Sequence, residues 1–267
     1  MKLAIHHDTT YRYADQVRAS IQYLRLTPQD SPRQRVLDWA LELPQAAHQQ
    51  RDGHGNILHV LTLDEPHQAI VINAHGHVEI DESCESESDP GSPLPYLRST
   101  ALTAADAALR EFARSVCGEQ RDRPALIGLM ERLYQRMPFT PGATRVETTA
   151  AQAFALGAGV CQDHSHVFLA CVRSLGIPAR YVSGYLCAAG SDQLVSHAWA
   201  EAWLEGAWYS FDVTNQLARP ERHLKLAVGL DYLDACPVRG MCRGGGQEQM
   251  HAQLQVVPQQ QEQAQEQ

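Results

Sequence analysis

The first eighty residues alternate between apolar and polar positions. Leu3, Ile5 and His7 lead into Tyr11 and Tyr13, and Val17, Ala19, Ile21 and Tyr23 interleave with Arg18, Ser20 and Gln22. This period of two predicts half-buried β-strands. Further short strands are expected at residues 36–43, which end at Pro44, and at 57–63, which follow the turn-forming Asp52-Gly53-His54-Gly55-Asn56. The apolar pairs around Ile70–Ile72 and Val78–Ile80 predict two more. Regular strands with turn signals between them predict a β-sandwich-like domain over residues 1–82.

The period then changes. Residues 83–98 are acidic and rich in Ser and Pro, the composition of a solvated linker. Thr103 is expected to cap a helix over 104–116 with Leu109, Phe112, Ala113 and Val116 on one face. Pro124 opens a second helix with Ile127, Met130, Leu133 and Tyr134 on one face, and Thr140-Pro141-Gly142 breaks it. After Gly157-Ala158-Gly159 a third helix begins near Cys161, with Val167, Phe168, Cys171, Val172 and Leu175 apolar and Gly176 and Pro178 closing it. Strands return at 179–186, 196–204 and 208–213, the last two joined by a Glu205-Gly206 turn. Residues 99–243 thus form an α+β domain, and the Gly- and Gln-rich tail 244–267 is expected to be disordered.

Composition narrows the function classes. With 44% hydrophobic and 20% charged residues the chain is an ordinary globular one, and no run of about 18 apolar residues marks a membrane span. A formal charge of -9 and no Lys/Arg stripe argue against nucleic-acid binding. The start MKLAIHHDTTYRY has no apolar signal core, so a cytoplasmic location is expected. Seven irregularly spaced cysteines, at 84, 117, 161, 171, 187, 236 and 242, favour free thiols over a disulfide framework. There is no paired CxxC for zinc and no EF-hand pattern for calcium, and no metal or cofactor is expected.

Cys161 sits where a small-residue loop meets a helix start. Orphan N–H groups and the positive end of the helix dipole favour a thiolate there, and the same N–H groups suit an oxyanion. A packed, inert cysteine has the same local sequence. His197 lies in a strand whose alternation sets His197, Trp199 and Glu201 opposite Ala198, Ala200 and Ala202, and Asp212 lies in the next strand. A thiol nucleophile needs a base, and the base needs an orienting carboxylate. Taken singly, His197 reads equally as a core histidine and Asp212 as a turn residue.

Together these segments resemble the transglutaminase-like superfamily. The resemblance is carried by Gly159-Val160-Cys161-Gln162-Asp163, by Leu175-Gly176-Ile177-Pro178-Ala179-Arg180-Tyr181-Val182-Ser183-Gly184-Tyr185, by Ser196-His197-Ala198-Trp199 and by Phe211-Asp212-Val213-Thr214-Asn215. The N-terminal HHDTTYRY and the segment 231–240 are similar to the flanking regions of bacterial members. The resemblance implies a papain-like α+β core, a Cys161–His197–Asp212 triad and acyl transfer through a thioester on a peptide or protein substrate. It leans towards hydrolysis, with protein-glutamine amine transfer and a non-catalytic binding module as the alternatives. His164 departs from the pattern, which has an apolar residue there.

Gln162, Asp163, Tyr185 and Trp199 are the further substrate-binding candidates, Asp163 with a structural role as the other reading. Trp199 also reads as core or cleft wall. A metal site of Cys161, His164 and His166 fits the spacing poorly. Cys236 and Cys242 are expected to be single thiols, with a pair or a metal site as the alternatives.

Overall fold

The structure, a computed structural model, describes residues 1–187 and 194–258. Its N-terminal strands are β1 (Lys2–Leu24), β2 (Gln34–Glu42), β3 (His48–Arg51), β4 (Ile57–Leu63) and β5 (His67–Ile80). The two alternating stretches expected before residue 24 are one strand, irregular between Arg12 and Val17 where its pairing with β5 shifts register. Leu3, Ile5, Val17 and Leu24 point inward from it, as the period of two requires. The order is β2-β5-β1-β4-β3 in one hydrogen-bonded sheet, with β5 pairing along the first part of β1 and β4 along its last part.

The second part begins with β6 (Ser86–Glu87) and a short 3₁₀ turn at Leu94–Leu97. These lie in the segment expected to be a solvated linker. Ion pairs explain the difference: Asp89 accepts from Arg180 at 3.0 Å and Glu87 from Lys225 at 3.0 Å, while buried Glu201 takes both cations, Arg180 at 2.7 Å and Lys225 at 2.6 Å. Burial opposes ionisation of Glu201, but these two cations hold it down at about 2.

Helices α1 (Ala107–Cys117), α2 (Arg123–Arg136), α3 (Ala150–Leu156) and α4 (Cys161–Ser174) follow. Asp106, not Thr103, caps α1, accepting from Leu109 N at 2.8 Å. Asp122 caps α2, and a reciprocal Thr149–Gln152 pair caps α3, the helix with no expectation from the sequence. Gly176, at φ +80°, ends the turn after α4, a conformation that favours glycine.

Strands β7 (Ala179–Cys187), β8 (Leu194–Leu204) and β9 (Ala207–Phe211) form the expected antiparallel run, with Glu205 and Gly206 both at positive φ in the β8–β9 turn. Then come β10 (His223–Gly229), the helical turn α5 (Tyr232–Ala235), β11 (Val238–Gly244) and β12 (Glu248–Pro258). The second sheet runs β10-β7-β8-β9-β6. Its Ala198, Ala200 and Ala202 pack on α1–α4, while Tyr185, Cys187, Leu224 and Leu226 pack on the N-terminal sheet. Helices and the first sheet therefore cover the second sheet, and β7 and β8 are buried along most of their length, polar residues included.

Part of the tail differs from expectation. β12 pairs with β1 over Leu3–Tyr13, and β11 pairs with β1 over Val17–Leu24, so both join the N-terminal sheet. The remainder of the expected disordered tail, 259–267, lies outside the described residues. Among the described residues no helix is long and apolar enough to cross a membrane.

Candidate active site

Cys161 is the first residue of α4, capped by Val160 in extended conformation. Helix geometry leaves the N–H groups of Cys161, Gln162 and Asp163 without acceptors in the helix, and His164 N is the first to reach one, Val160 O at 3.0 Å. The carboxylate of Asp163 folds back over this end. Its Oδ2 accepts from Val160 N at 2.8 Å and from Thr144 Oγ1 at 2.6 Å, and Oδ1 is buried with no partner. Asp163 is a cap rather than a lining residue: it is 1% exposed.

His197 on β8 lines the same cleft as Cys161, and its Nε2 lies 2.7 Å from Asp212 Oδ2. Both His197 and Asp212 are buried, whereas Cys161 is partly open. Burial disfavours the imidazolium of His197, but hydrogen bonds and charges from Asp212 and Cys161 outweigh it and lift the group to about 10. Burial likewise opposes ionisation of Asp212, yet hydrogen bonds from His197 and His223 and the fields of both rings hold it far below the carboxylate range. Asn215 fixes the same carboxylate, its Nδ2 donating to Oδ2 at 2.8 Å and its N–H to Oδ1 at 3.2 Å.

Cys161, His197 and Asp212, far apart in sequence, are thus brought together. The four further candidates separate. Gln162 lines the cleft beside Cys161 and donates to Val146 O at 3.0 Å. Tyr185 stands behind the cleft wall, with its hydroxyl on His7 Nδ1, while Thr9 Oγ1 holds His7 Nε2 at 2.9 Å. Trp199 is 2% exposed and stacks on the His197 ring at 6.2 Å and 21°, fixing the imidazole from behind. Asp163, as above, caps the helix.

The cleft holds about 320 Å³. Strand β1 supplies His7, Thr9 and Tyr11 to its wall, and β12 supplies Met250 and Ala252. Among the described residues that line it, none is Asp, Glu, Lys or Arg. His7 is neutral there: burial lowers it to about 4, against a weaker pull from Asp8. A second cavity, about 390 Å³, is lined by Asp30, Glu87, Asp89, Arg180 and Lys225, away from Cys161.

His164 and His166 do not join Cys161. His164 Nε2 donates to Met137 O at 2.8 Å, and His166 Nε2 accepts from Tyr232 N at 3.1 Å. The ligand atoms of His197, Asp212 and His223 do lie within 4.8 Å of one another. Their 2.7 and 2.9 Å contacts through Asp212 Oδ2 are donor–acceptor distances, shorter than two zinc ligands keep from each other. Cys236 and Cys242 are both free thiols.

Sequence reasoning passed over His223 and Asn215. Asn215 stood in a quoted motif without a role. His223 opens β10, and the alternation His223-Leu224-Lys225-Leu226 was the available signal.

The model of the bacterial transglutaminase-like N-terminal region matches residues 3–79, and that of the transglutaminase-like superfamily matches 110–213, which hold Cys161, His197 and Asp212. An uncharacterized protein of Mycobacterium leprae is 30% identical over 92% of this chain and 94% of its own. A protein-glutamine gamma-glutamyltransferase of Pseudomonas aeruginosa is 34% identical over 47% of this chain but only 22% of its own length. The crystal structure of a candidate cysteine protease from Cytophaga hutchinsonii superposes with a TM-score of 0.77 at 24% identity, over 96% of this chain and 91% of that one. With both regions matched in order and a full-length relative at 30% identity, the chain belongs to the transglutaminase-like superfamily.

Proposed function

We propose that the protein is a cysteine-nucleophile hydrolase of amide or peptide bonds, with Cys161, His197 and Asp212 as its triad. The observation that carries this reading is the buried 2.7 Å His197 Nε2–Asp212 Oδ2 contact on an imidazole that lines the same cleft as a thiol at a helix N-terminus. The packing of α4 on β8 agrees with a papain-like core.

The steps follow from the chemistry. Cys161 gives its proton to His197, and the sulfur attacks the carbonyl carbon. The oxyanion is met by the free N–H groups at the start of α4. The C–N bond breaks as His197 protonates the departing amine, leaving a thioester on Cys161. Water, deprotonated by His197, then attacks; the C–S bond breaks, and the thiol recovers its proton. Asp212 holds the imidazolium through both halves. Net, one amide and one water give one carboxylic acid and one amine.

Water is the favoured acceptor because Cys161 remains partly open to solvent. A second reading, transfer to an amine, rests on the partial match to the protein-glutamine gamma-glutamyltransferase. Trapping the acyl-enzyme on Cys161 from a peptide library tests the proposal. A thioester adduct on Cys161, lost in Cys161→Ala, is expected, and competition between water and an added amine reads the acceptor. The reading fails if Cys161 alkylates no faster than the other six thiols and no amide turns over.

A further inference from the structure

Asp212 Oδ2 takes a second histidine besides His197. His223 Nε2 lies 2.9 Å from Asp212 Oδ2, and the peptide N–H of Glu221 donates to His223 Nδ1 at 3.3 Å. A ring nitrogen that accepts an N–H carries no proton, so the proton of a neutral His223 sits on Nε2, facing the carboxylate. Trp199 packs edge-to-face against the His223 ring at 4.9 Å, and the ring is 1% exposed. The backbone that selects this tautomer is itself clamped. Arg33, 3% exposed and ahead of β2, donates from Nη1 to Pro220 O at 2.6 Å and from Nη2 to Glu221 O at 2.6 Å.

We propose that His223 is a positioning residue for Asp212, and that Arg33 sets it by fixing the backbone at Pro220 and Glu221. The proposal rests on the triad reading above. A neutral donor suits this place because a second cation on Asp212 would compete with the imidazolium of His197. Burial keeps His223 neutral, against the pull of Asp212, and the charges of His197 and Arg33 act in the same direction as burial. From α4, His164 also feels Asp212 and His197, and it too is kept neutral chiefly by burial. The N-terminal region thereby reaches the reacting atoms through Arg33, Glu221, His223, Asp212 and His197, in that order.

The test uses the full chain and iodoacetamide as probe, with carboxamidomethylation of Cys161 followed by mass spectrometry from pH 4 to 9. His223→Leu removes the donor; His223→Gln places an amide N–H near the old Nε2. Losing a hydrogen bond to a charged group slows Cys161 alkylation at pH 6 roughly ten- to a hundred-fold and moves its profile to higher pH, and Gln recovers most of the loss. Arg33→Gln moves the profile the same way. A folded His223→Leu protein with an unchanged profile overturns the proposal and leaves the triad reading intact. A wild-type Cys161 no faster than the other thiols overturns the triad reading first. Should His223→Leu not fold, long-range ¹⁵N NMR of the wild-type ring decides: a proton on Nε2 supports the proposal, and its absence, through metal binding or the other tautomer, ends it.

Discussion

Gly159 and Asp163 leave each other no room. A Cβ built on Gly159 lies 2.6 Å from Asp163 Cβ and 2.8 Å from its Oδ2, closer than real Cβ atoms come. Gly159 is needed here for space, not for a positive φ. The carboxylate it admits caps the helix that begins with Cys161.

Gly159→Ala therefore displaces Asp163 and with it the helix start. The expected cost is about 1–3 kcal/mol, the usual range for overpacking, read from urea midpoints. Alkylation of Cys161 slows at the same time. Asp163→Ala removes the cap without the clash and costs about 1 kcal/mol. If Gly159→Ala is as stable and as reactive as wild type, the close contact does not govern the helix start.

His197 is lifted to about 10 by both Asp212 and Cys161, against burial. In Cys161→Ala one of these supports is gone. The NMR titration midpoint of His197 is expected to fall, yet to stay above 6.5 because Asp212 remains. The stability effect has a definite sign. A folded value above the free one contributes stability that is complete below pH 6.5 and lost as the pH climbs through about 10. Urea midpoints of wild type relative to Cys161→Ala should converge at the alkaline end of that window. A His197 midpoint unchanged by the substitution contradicts the coupling.

The parts of the fold that were legible in sequence are those where burial imposes a period. Strand β8 shows Ala198, Ala200 and Ala202 on the helix side, and α4 shows Val167, Phe168, Cys171 and Val172. The parts that were not legible are those stabilised by partners distant in sequence. Glu87 and Asp89 look like a solvated acidic run until Lys225 and Arg180 arrive from β10 and β7. Strand β12 is Gln-rich and exposed from Glu248 to Gln253, so composition spoke for disorder; pairing with β1 decides otherwise. At the site, the triad spacing was visible through family likeness, whereas His223 acquires a role only when β10 pairs with β7 and brings it to Asp212.

Two buried histidines predict acid sensitivity. Burial lowers His7 to about 4 and His166 to about 3, below their free value of 6.5. Between these values the unfolded chain takes up protons that the folded one refuses, so stability falls as the pH drops from 6.5 towards 4. Each group contributes a slope of up to about 1.4 kcal/mol per pH unit. His7→Asn should flatten the fall by one such slope relative to wild type, in urea titrations at pH 6.5, 5.5 and 4.5. Parallel curves for the two proteins rule His7 out as a source of the sensitivity.

Met250 allows the cleft wall to be tested without disturbing the core. It is 61% exposed on β12, opposite Tyr11 of β1, and it lines a cleft whose described lining residues include no Asp, Glu, Lys or Arg. A carboxylate placed there meets solvent, so Met250→Glu should leave urea stability within about 0.5 kcal/mol of wild type, as for most surface changes. Its effect should appear in binding. An apolar side chain entering the cleft loses contact with the Met250 thioether and gains a charged neighbour that must be desolvated. The kcat/KM for a peptide amide with a neutral apolar acyl residue should fall roughly ten-fold, mostly through KM, while a substrate carrying Lys at that position should gain relative to it. Equal losses for both substrates would mean that β12 acts on backbone placement and not on the acyl side chain. No loss for either would remove β12 from the substrate wall.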